Sequence, residues 1–135
     1  MLRWQQRFDN FEKAFLLLSS AFQETEKTFN DLEKEGIIQR FEYTFELMWK
    51  VLKDKMEADG IVLERISPKY VIKKAFQSKY LDEVDVWLQM CDTRNLLSHT
   101  YDFEQFTVIF PKIRQEFLPV LTSFYQKFKQ LYAEE

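Results

Sequence analysis

The sequence has few residues that bend or cross-link a chain. Its 135 residues include two glycines, three prolines and one cysteine. So few turn-forming residues favour long helices over many short strands. A lone cysteine excludes an intrachain disulfide and favours a reducing compartment. No apolar run approaches the roughly 18 residues of a membrane-spanning helix, and the N-terminus lacks the apolar segment of a signal peptide. These absences predict a soluble, cytoplasmic all-α protein with no membrane contact.

The charge balance restricts the partners of the chain. A net charge of −3 and a pI near 5.3 argue against a broad basic nucleic-acid footprint, so any contact with RNA must be local. No cysteine or histidine spacing resembles a zinc site, so we expect no metal and no cofactor. The length fits one domain over residues 1–135. Fourteen phenylalanines are many for one core, and some of them could serve a second interface between subunits.

The apolar periodicity of the first half predicts two long helices. Apolar residues recur at alternating spacings of four and three from Trp4 to Phe29, which predicts a first helix of roughly 39 Å. Asp31 is the expected N-cap of the second helix, and Asp59-Gly60 the expected stop. Gly36 could mark a break near the start of this helix.

The second half predicts three further helical regions. Ser67-Pro68 is a typical helix start, since serine caps and proline fits the first turn. Asp82 and Asp102 are expected to cap the fourth and the last regions, and Cys91 is expected in the core of the fourth. Two prolines, Pro111 and Pro119, interrupt the last region and predict a kink or split near Phe117. The expected fold is an up-and-down bundle of about five helices.

The stretch from Asp92 to Asp102 holds the most informative residues. It contains the only histidine, His99, with Arg94 five residues before it and Tyr101 two residues after it. Stepping back from His99 by helical increments reaches Asn95 and then apolar residues, so polar groups are expected on a core-facing stripe. A polar cluster in such a place costs stability unless it is paired or used. We therefore interpret this stretch as the candidate site.

The residue types of this site suit phosphate chemistry. Arginine offers a charged fork of donors for a phosphate, and histidine transfers protons near neutral pH. RNA cleavage would use the ribose 2′-OH, with His99 as base or acid and Arg94 stabilising charge on the phosphorane. On a regular helix these two residues point about 140° apart. They converge only if His99 leaves the helical register or if two chains combine. The alternative is a helix C-terminus where His99 meets the helix dipole and Arg94 pairs with Asp92 or a neighbour.

Two further charged groups have open interpretations. Three lysines of the third helix, Lys69, Lys73 and Lys74, form the most basic patch; they are candidate phosphate contacts or simply solvated side chains. Glu42 and Glu46 lie four residues apart, which fits paired carboxylates for a metal, a solvated face, or partners for Arg40 or Lys50.

The site residues resemble the signature of the HEPN domain, an arginine, often followed by asparagine, and then a histidine after four to six residues. The segment Arg94-Asn95-Leu96-Leu97-Ser98-His99 matches it, with Asn95 and Ser98 as supporting residues. The wider chain, through the block from Ile38 to Lys50, Ser67-Pro68 and the segment from Ser98 to Asp102, is similar to bacterial and archaeal nucleotidyltransferase substrate-binding proteins.

This resemblance implies a homodimer and a partner, a minimal nucleotidyltransferase encoded nearby. It implies either a metal-independent RNase toxin, which the partner neutralises, or a non-catalytic subunit that binds a substrate or nucleotide for the partner. In related toxins the signature continues to a tyrosine that accepts AMP from the partner. Tyr101 matches that position, with a packed aromatic residue at a helix junction as the alternative.

Overall fold

The computed structural model describes residues 1–23, 28–99 and 102–135, with the side chains of His99 and Phe103 excepted. The helices are α1 (Arg3–Ser20), α2 (Asp31–Ala58), α3 (Pro68–Gln77), α4 (Val84–His99), α5 (Phe103–Lys112) and α6 (Leu118–Glu134), with a π-helical segment (Ile113–Phe117) between the last two. The described part of the chain contains no strand, which confirms the all-α class. No helix in these ranges is long and apolar enough to cross a bilayer.

The end of the first helix differs from the sequence prediction. Helix α1 ends at Ser20 and is about 27 Å long, so the predicted continuation to Phe29 is wrong. Phe22 and Phe29 nevertheless pack on each other and on Phe110, with ring centroids 5.4–5.9 Å apart. The helical spacing of these phenylalanines therefore reflects burial and not a continuous helix. The segment from Glu24 to Lys27 lies outside the described residues.

Helix α2 begins one residue earlier than an Asp31 cap would place it. Asn30 is the N-cap, and its side chain accepts from the Glu33 N–H while Glu33 accepts from the Asn30 N–H, a complete capping box. The helix continues through Gly36 without a break and stops where predicted, before Gly60 at a φ of 88°. Helix α4 starts at Val84, two residues beyond the expected cap Asp82, because Glu83 adopts a φ of 52° just before it.

The long helices pack side by side around an aromatic core. Side chains early in α1 meet those late in both α2 and α6, as in the Arg7–Asp54 and Trp4–Phe128 contacts, so α1 runs antiparallel to both helices. Every phenylalanine whose side chain is described is buried except Phe76. The chain's own core therefore accounts for every described phenylalanine except Phe76, which is the one of them left exposed for an interface between subunits.

The predicted split near Phe117 is confirmed. Pro119 has no N–H, so the carbonyl four residues before it loses its helical partner. Just ahead of this proline the Leu118 N–H bonds to the Ile113 carbonyl five residues back, which absorbs one extra residue as a π-helical turn. Helix α6 then restarts with Pro119 in its first turn.

Candidate functional site

Arg94 is the polar residue on the buried face of α4. Buried residues lie three or four positions from it on both sides, namely Met90, Cys91 and Leu97, and the Arg94 side chain is 32% exposed. Asn95 is exposed, so its predicted place on the core-facing stripe is wrong by one residue. The buried face of α4 runs through Trp87, Cys91 and Arg94 at spacings of four and three, and these spacings leave Asn95 outside it.

The carboxylate of Glu46 on α2 faces this arginine. Arg94 Nη2 lies 3.1 Å from Glu46 Oε2, and Lys50 Nζ lies 3.4 Å from Glu46 Oε1. Glu46 Oε2 is buried, and no N–H is aligned on it as a hydrogen bond, so the contact with Arg94 is an ion pair without that alignment. The predicted partnership with Lys50 is confirmed, whereas the one with Arg40 is not: Arg40 Nη1 donates to the Leu17 carbonyl oxygen at 2.8 Å.

Glu42 adds a second carboxyl group to the same place. Burial raises the pKa of this carboxyl above its ordinary value, and the charge of Arg94 acts in the opposite direction. One guanidinium therefore lies within electrostatic reach of two acidic side chains of α2. Among the described side chains no three of the types His, Cys, Asp and Glu come close enough together to hold a metal ion.

The basic patch of α3 borders the same end of α4. Lys69 Nζ lies 2.7 Å from Asp92 Oδ1, and both side chains are exposed. Lys73 is exposed and Lys74 half-buried. Cys91 is buried as predicted; burial raises the pKa of its thiol, while the charges of Lys69 and Arg94 oppose that rise. The structure thus brings part of the lysine patch to the region of Arg94, which sequence spacing alone did not indicate.

The remaining motif residues are described in part. Ser98 is exposed, and its hydroxyl donates to the Arg94 backbone carbonyl at 3.0 Å, a bond within the helix. His99 is the last residue of α4, so its backbone keeps the helical register with Arg94. Its side chain and all of Tyr101 lie outside the described residues, and their roles stay predictions. Asp102 caps α5 as predicted, since its side chain accepts from the Glu104 N–H at 3.0 Å.

Sequence reasoning missed Glu46 as the partner of Arg94. The only signal available was the spacing of Glu42, Glu46 and Trp49 along one flank of α2. That flank could have faced any neighbour, because nothing in the sequence pairs α2 with α4. The contact depends on the packing of two helices separated by more than twenty residues of chain.

Comparisons with known proteins agree with this fold. The model of a family described as nucleotidyltransferase substrate binding protein like matches residues 6–130. A Haemophilus influenzae protein named Probable ribonuclease HepT is 31% identical over 81 residues, which are 58% of this chain and 56% of that protein. The chain thus matches little more than half the length of this curated relative. A crystal structure of a Thermus thermophilus protein is 34% identical, with a TM-score of 0.71 over 90% of this chain and 98% of the other.

Proposed function

The chain belongs to the family of nucleotidyltransferase substrate binding protein like proteins, and we propose that it is a HEPN-type cytoplasmic ribonuclease that cleaves RNA without a metal ion. In this proposal it acts as the toxin of a two-component system. A minimal nucleotidyltransferase encoded nearby neutralises it by transferring AMP to Tyr101. The similarity to a protein named as a probable ribonuclease supports the reaction type.

The observation that carries the proposal is the place of Arg94. Its guanidinium lies on the core-facing side of α4, about a third exposed, beside Glu46 and within electrostatic reach of Glu42 on α2. A guanidinium presents five N–H donors, and only Nη2 lies in the ion pair with Glu46. Donors therefore remain for a phosphate oxygen that approaches from the exposed side.

The proposed reaction needs one base, one acid and one stabilising cation. A base takes the proton of the ribose 2′-OH, the 2′-oxygen bonds to phosphorus, and the bond from phosphorus to the 5′-oxygen breaks while an acid protonates that oxygen. The products are a 2′,3′-cyclic phosphate and a 5′-hydroxyl end. Arg94 stabilises the added charge on the phosphorane. A positioned histidine contributes roughly 10²- to 10⁴-fold to such a reaction.

The proposed reaction also requires two chains. The sequence has one histidine, and one imidazole cannot act as base and acid in the same step. His99 keeps the helical register five residues after Arg94, so their Cα atoms lie about 140° apart around the α4 axis. Because His99 stays in the helical register, convergence of the two residues is favoured between two chains and not within one. We propose a homodimer that combines Arg94 and His99 from both chains in one groove.

The proposed control by AMP follows from the charge of the transferred group. The Tyr101 hydroxyl attacks the α-phosphorus of ATP, pyrophosphate leaves, and a phosphodiester-linked AMP remains two residues beyond His99. Its negative charge and bulk would exclude an RNA phosphate from the groove. The modification would therefore stop cleavage without unfolding the chain.

The test is cleavage of RNA by the purified protein in a metal chelator. Wild type should cleave, while Arg94→Ala and His99→Ala should lose at least about 100-fold in rate. Arg65→Ala is the matched control, because Arg65 is exposed and precedes α3, and it should keep full activity. Activity in His99→Ala equal to wild type would reject the proposed cleavage.

A second function is favoured by the ion pairs at the site. Arg94 already faces Glu46, and Lys69 faces Asp92, so the local positive charge available to RNA is reduced. This neutralisation, with the acidic pI, fits a non-catalytic subunit that binds a substrate or nucleotide for the partner enzyme. Labelled ATP and the partner distinguish the two functions. AMP attached to Tyr101 supports the toxin, and AMP delivered to another molecule supports the binding subunit.

A further inference from the structure

We infer that Glu46 is a positioning residue that holds the guanidinium of Arg94 in the orientation in which it meets a phosphate. This inference rests on the proposed function, since it assigns a role in the same site. It starts from the 3.1 Å ion pair between the two side chains, which come from different helices, α2 and α4.

The Glu46 carboxylate is held at both of its oxygens. Oε2 is buried against Arg94, and Oε1 lies 3.4 Å from Lys50 one turn further along α2. A typical surface carboxylate keeps both oxygens in water and moves among rotamers, which is why surface pairs contribute little. The buried oxygen of Glu46 is shielded from solvent. Lys50 compensates part of the carboxylate charge at Oε1, and the guanidinium compensates it at the buried Oε2.

The Arg94 side chain requires a partner to keep one orientation. A free arginine side chain samples many rotamers, and a binding or catalytic site must restrict them before the guanidinium can act. The buried neighbours Cys91 and Leu97 offer no negative charge to the guanidinium. Glu46 supplies that charge from α2. The side chain is therefore ordered before substrate arrives, and its exposed part is free for the phosphate.

The negative charge of Glu46 also opposes the binding of RNA, and this effect makes the inference testable. Its negative charge, like that of the nearby Glu42, weakens the attraction of Arg94 for an RNA phosphate, and Lys50 offsets part of it. Loss of the Glu46 charge should therefore strengthen ground-state binding while it releases the guanidinium from its orientation. A positioning role thus predicts a fall in kcat without a rise in KM.

The experiment compares Glu46→Gln with Glu57→Gln in RNA cleavage. Glu57 also lies on α2 and also pairs with a lysine, Lys53 at 2.9 Å, but roughly 16 Å further along the helix. We expect kcat to fall about 10- to 100-fold in Glu46→Gln, with KM unchanged or lower. In Glu57→Gln we expect both constants to stay within about twofold. An unchanged or raised kcat in Glu46→Gln, or an equal loss in Glu57→Gln, would overturn the inference.

A second readout separates this inference from the proposed function. The Arg94 Nε–H signal in a ¹⁵N NMR spectrum reports directly on the order of the guanidinium. It should be sharp in wild type and in Glu57→Gln, and broadened or absent in Glu46→Gln. If wild type cleaves no RNA, the proposed ribonuclease fails, and the positioning role is decided by this signal alone. A signal equally sharp in all three proteins would refute positioning whether or not RNA is cleaved.

Glu46→Met serves if Glu46→Gln does not fold. It removes the charge, keeps the length of the side chain and leaves no unpaired amide in the partly buried place. The same kcat loss and the same broadening of the Arg94 signal are expected from it. Retention of the wild-type kcat by a folded Glu46→Met would contradict the inference.

Discussion

The ion pair between Arg94 and Glu46 should appear as a coupling energy in protein stability. Arg94→Met removes the cation and keeps an unbranched side chain, so the buried Glu46 Oε2 is left without a compensating charge. Breaking a fully buried ion pair costs about 3–5 kcal/mol and an exposed pair contributes at most about 1 kcal/mol, so for this partly exposed pair we expect about 2 kcal/mol. Glu46→Gln alone should cost about 1 kcal/mol, because it removes the charge but keeps the shape.

The double variant, which combines Arg94→Met with Glu46→Gln, gives the coupling energy between the two side chains. Two charges 3.1 Å apart attract by about 5 kcal/mol at an effective dielectric constant near 20, but desolvation and side-chain ordering offset most of this. Exposed pairs retain about 0.2–1 kcal/mol. Both side chains are about a third exposed, so we expect the upper end of that range, a coupling of about 1 kcal/mol. The double variant should then lose about 2 kcal/mol, and not the additive value of about 3.

Urea unfolding followed by circular dichroism measures the stability of wild type, the two single variants and the double variant. The slope of unfolding free energy against urea concentration should be the same in all four proteins, within the usual range of about 1–3 kcal/mol per molar urea. Shifts of the unfolding midpoint then report stability alone. The pair of Lys53 and Glu57 is the matched comparison and should couple by about 0.3–0.5 kcal/mol, as i,i+4 helix pairs do. Free energies that add within about 0.3 kcal/mol for Arg94 and Glu46 would refute the ion pair on which the positioning role depends.

Three further predictions follow from other residues. Gly36→Ala should stabilise the protein by about 1 kcal/mol in thermal or urea unfolding, because Gly36 lies inside a helix and an added Cβ meets open space. Gly60→Ala should destabilise it by about 1 kcal/mol, because Gly60 has a φ of 88°. Burial raises the pKa of Glu42 above its ordinary 4.5, so the folded chain binds this proton more tightly and the ionised group costs stability as pH rises through the folded-state pKa. Glu42→Gln should therefore stabilise near about pH 7 and have little effect near about pH 3; the same effect at both pH values would contradict this. Asp54→Asn should cost about 1.5–3 kcal/mol in urea unfolding, since the Asp54 side chain is 1% exposed and lies 3.0 Å from Arg7 and 3.1 Å from Lys53, and a loss below about 1 kcal/mol would contradict this.

The sequence by itself determined the fold class and most helix boundaries. Scarce glycine and proline with sustained 3.6-residue periodicity is enough for an all-α prediction, because burial of one helix face is a local property of the chain. The stop at Asp59-Gly60, the start at Pro68 and the split ahead of Pro119 also follow from local backbone chemistry. The one long boundary error, at the end of α1, arose because phenylalanines near a turn are buried at the spacing of a helix.

The tertiary structure decided which residues meet at the site. Local periodicity placed Asn95 on the buried stripe, but the orientation of α4 against its neighbours buries the Arg94 side instead. No local rule pairs Glu46 with Arg94, because the contact depends on how α2 and α4 pack across the core. The sequence therefore determined which chemical groups are available, and the packing of helices distant in the chain decided the partner of the arginine.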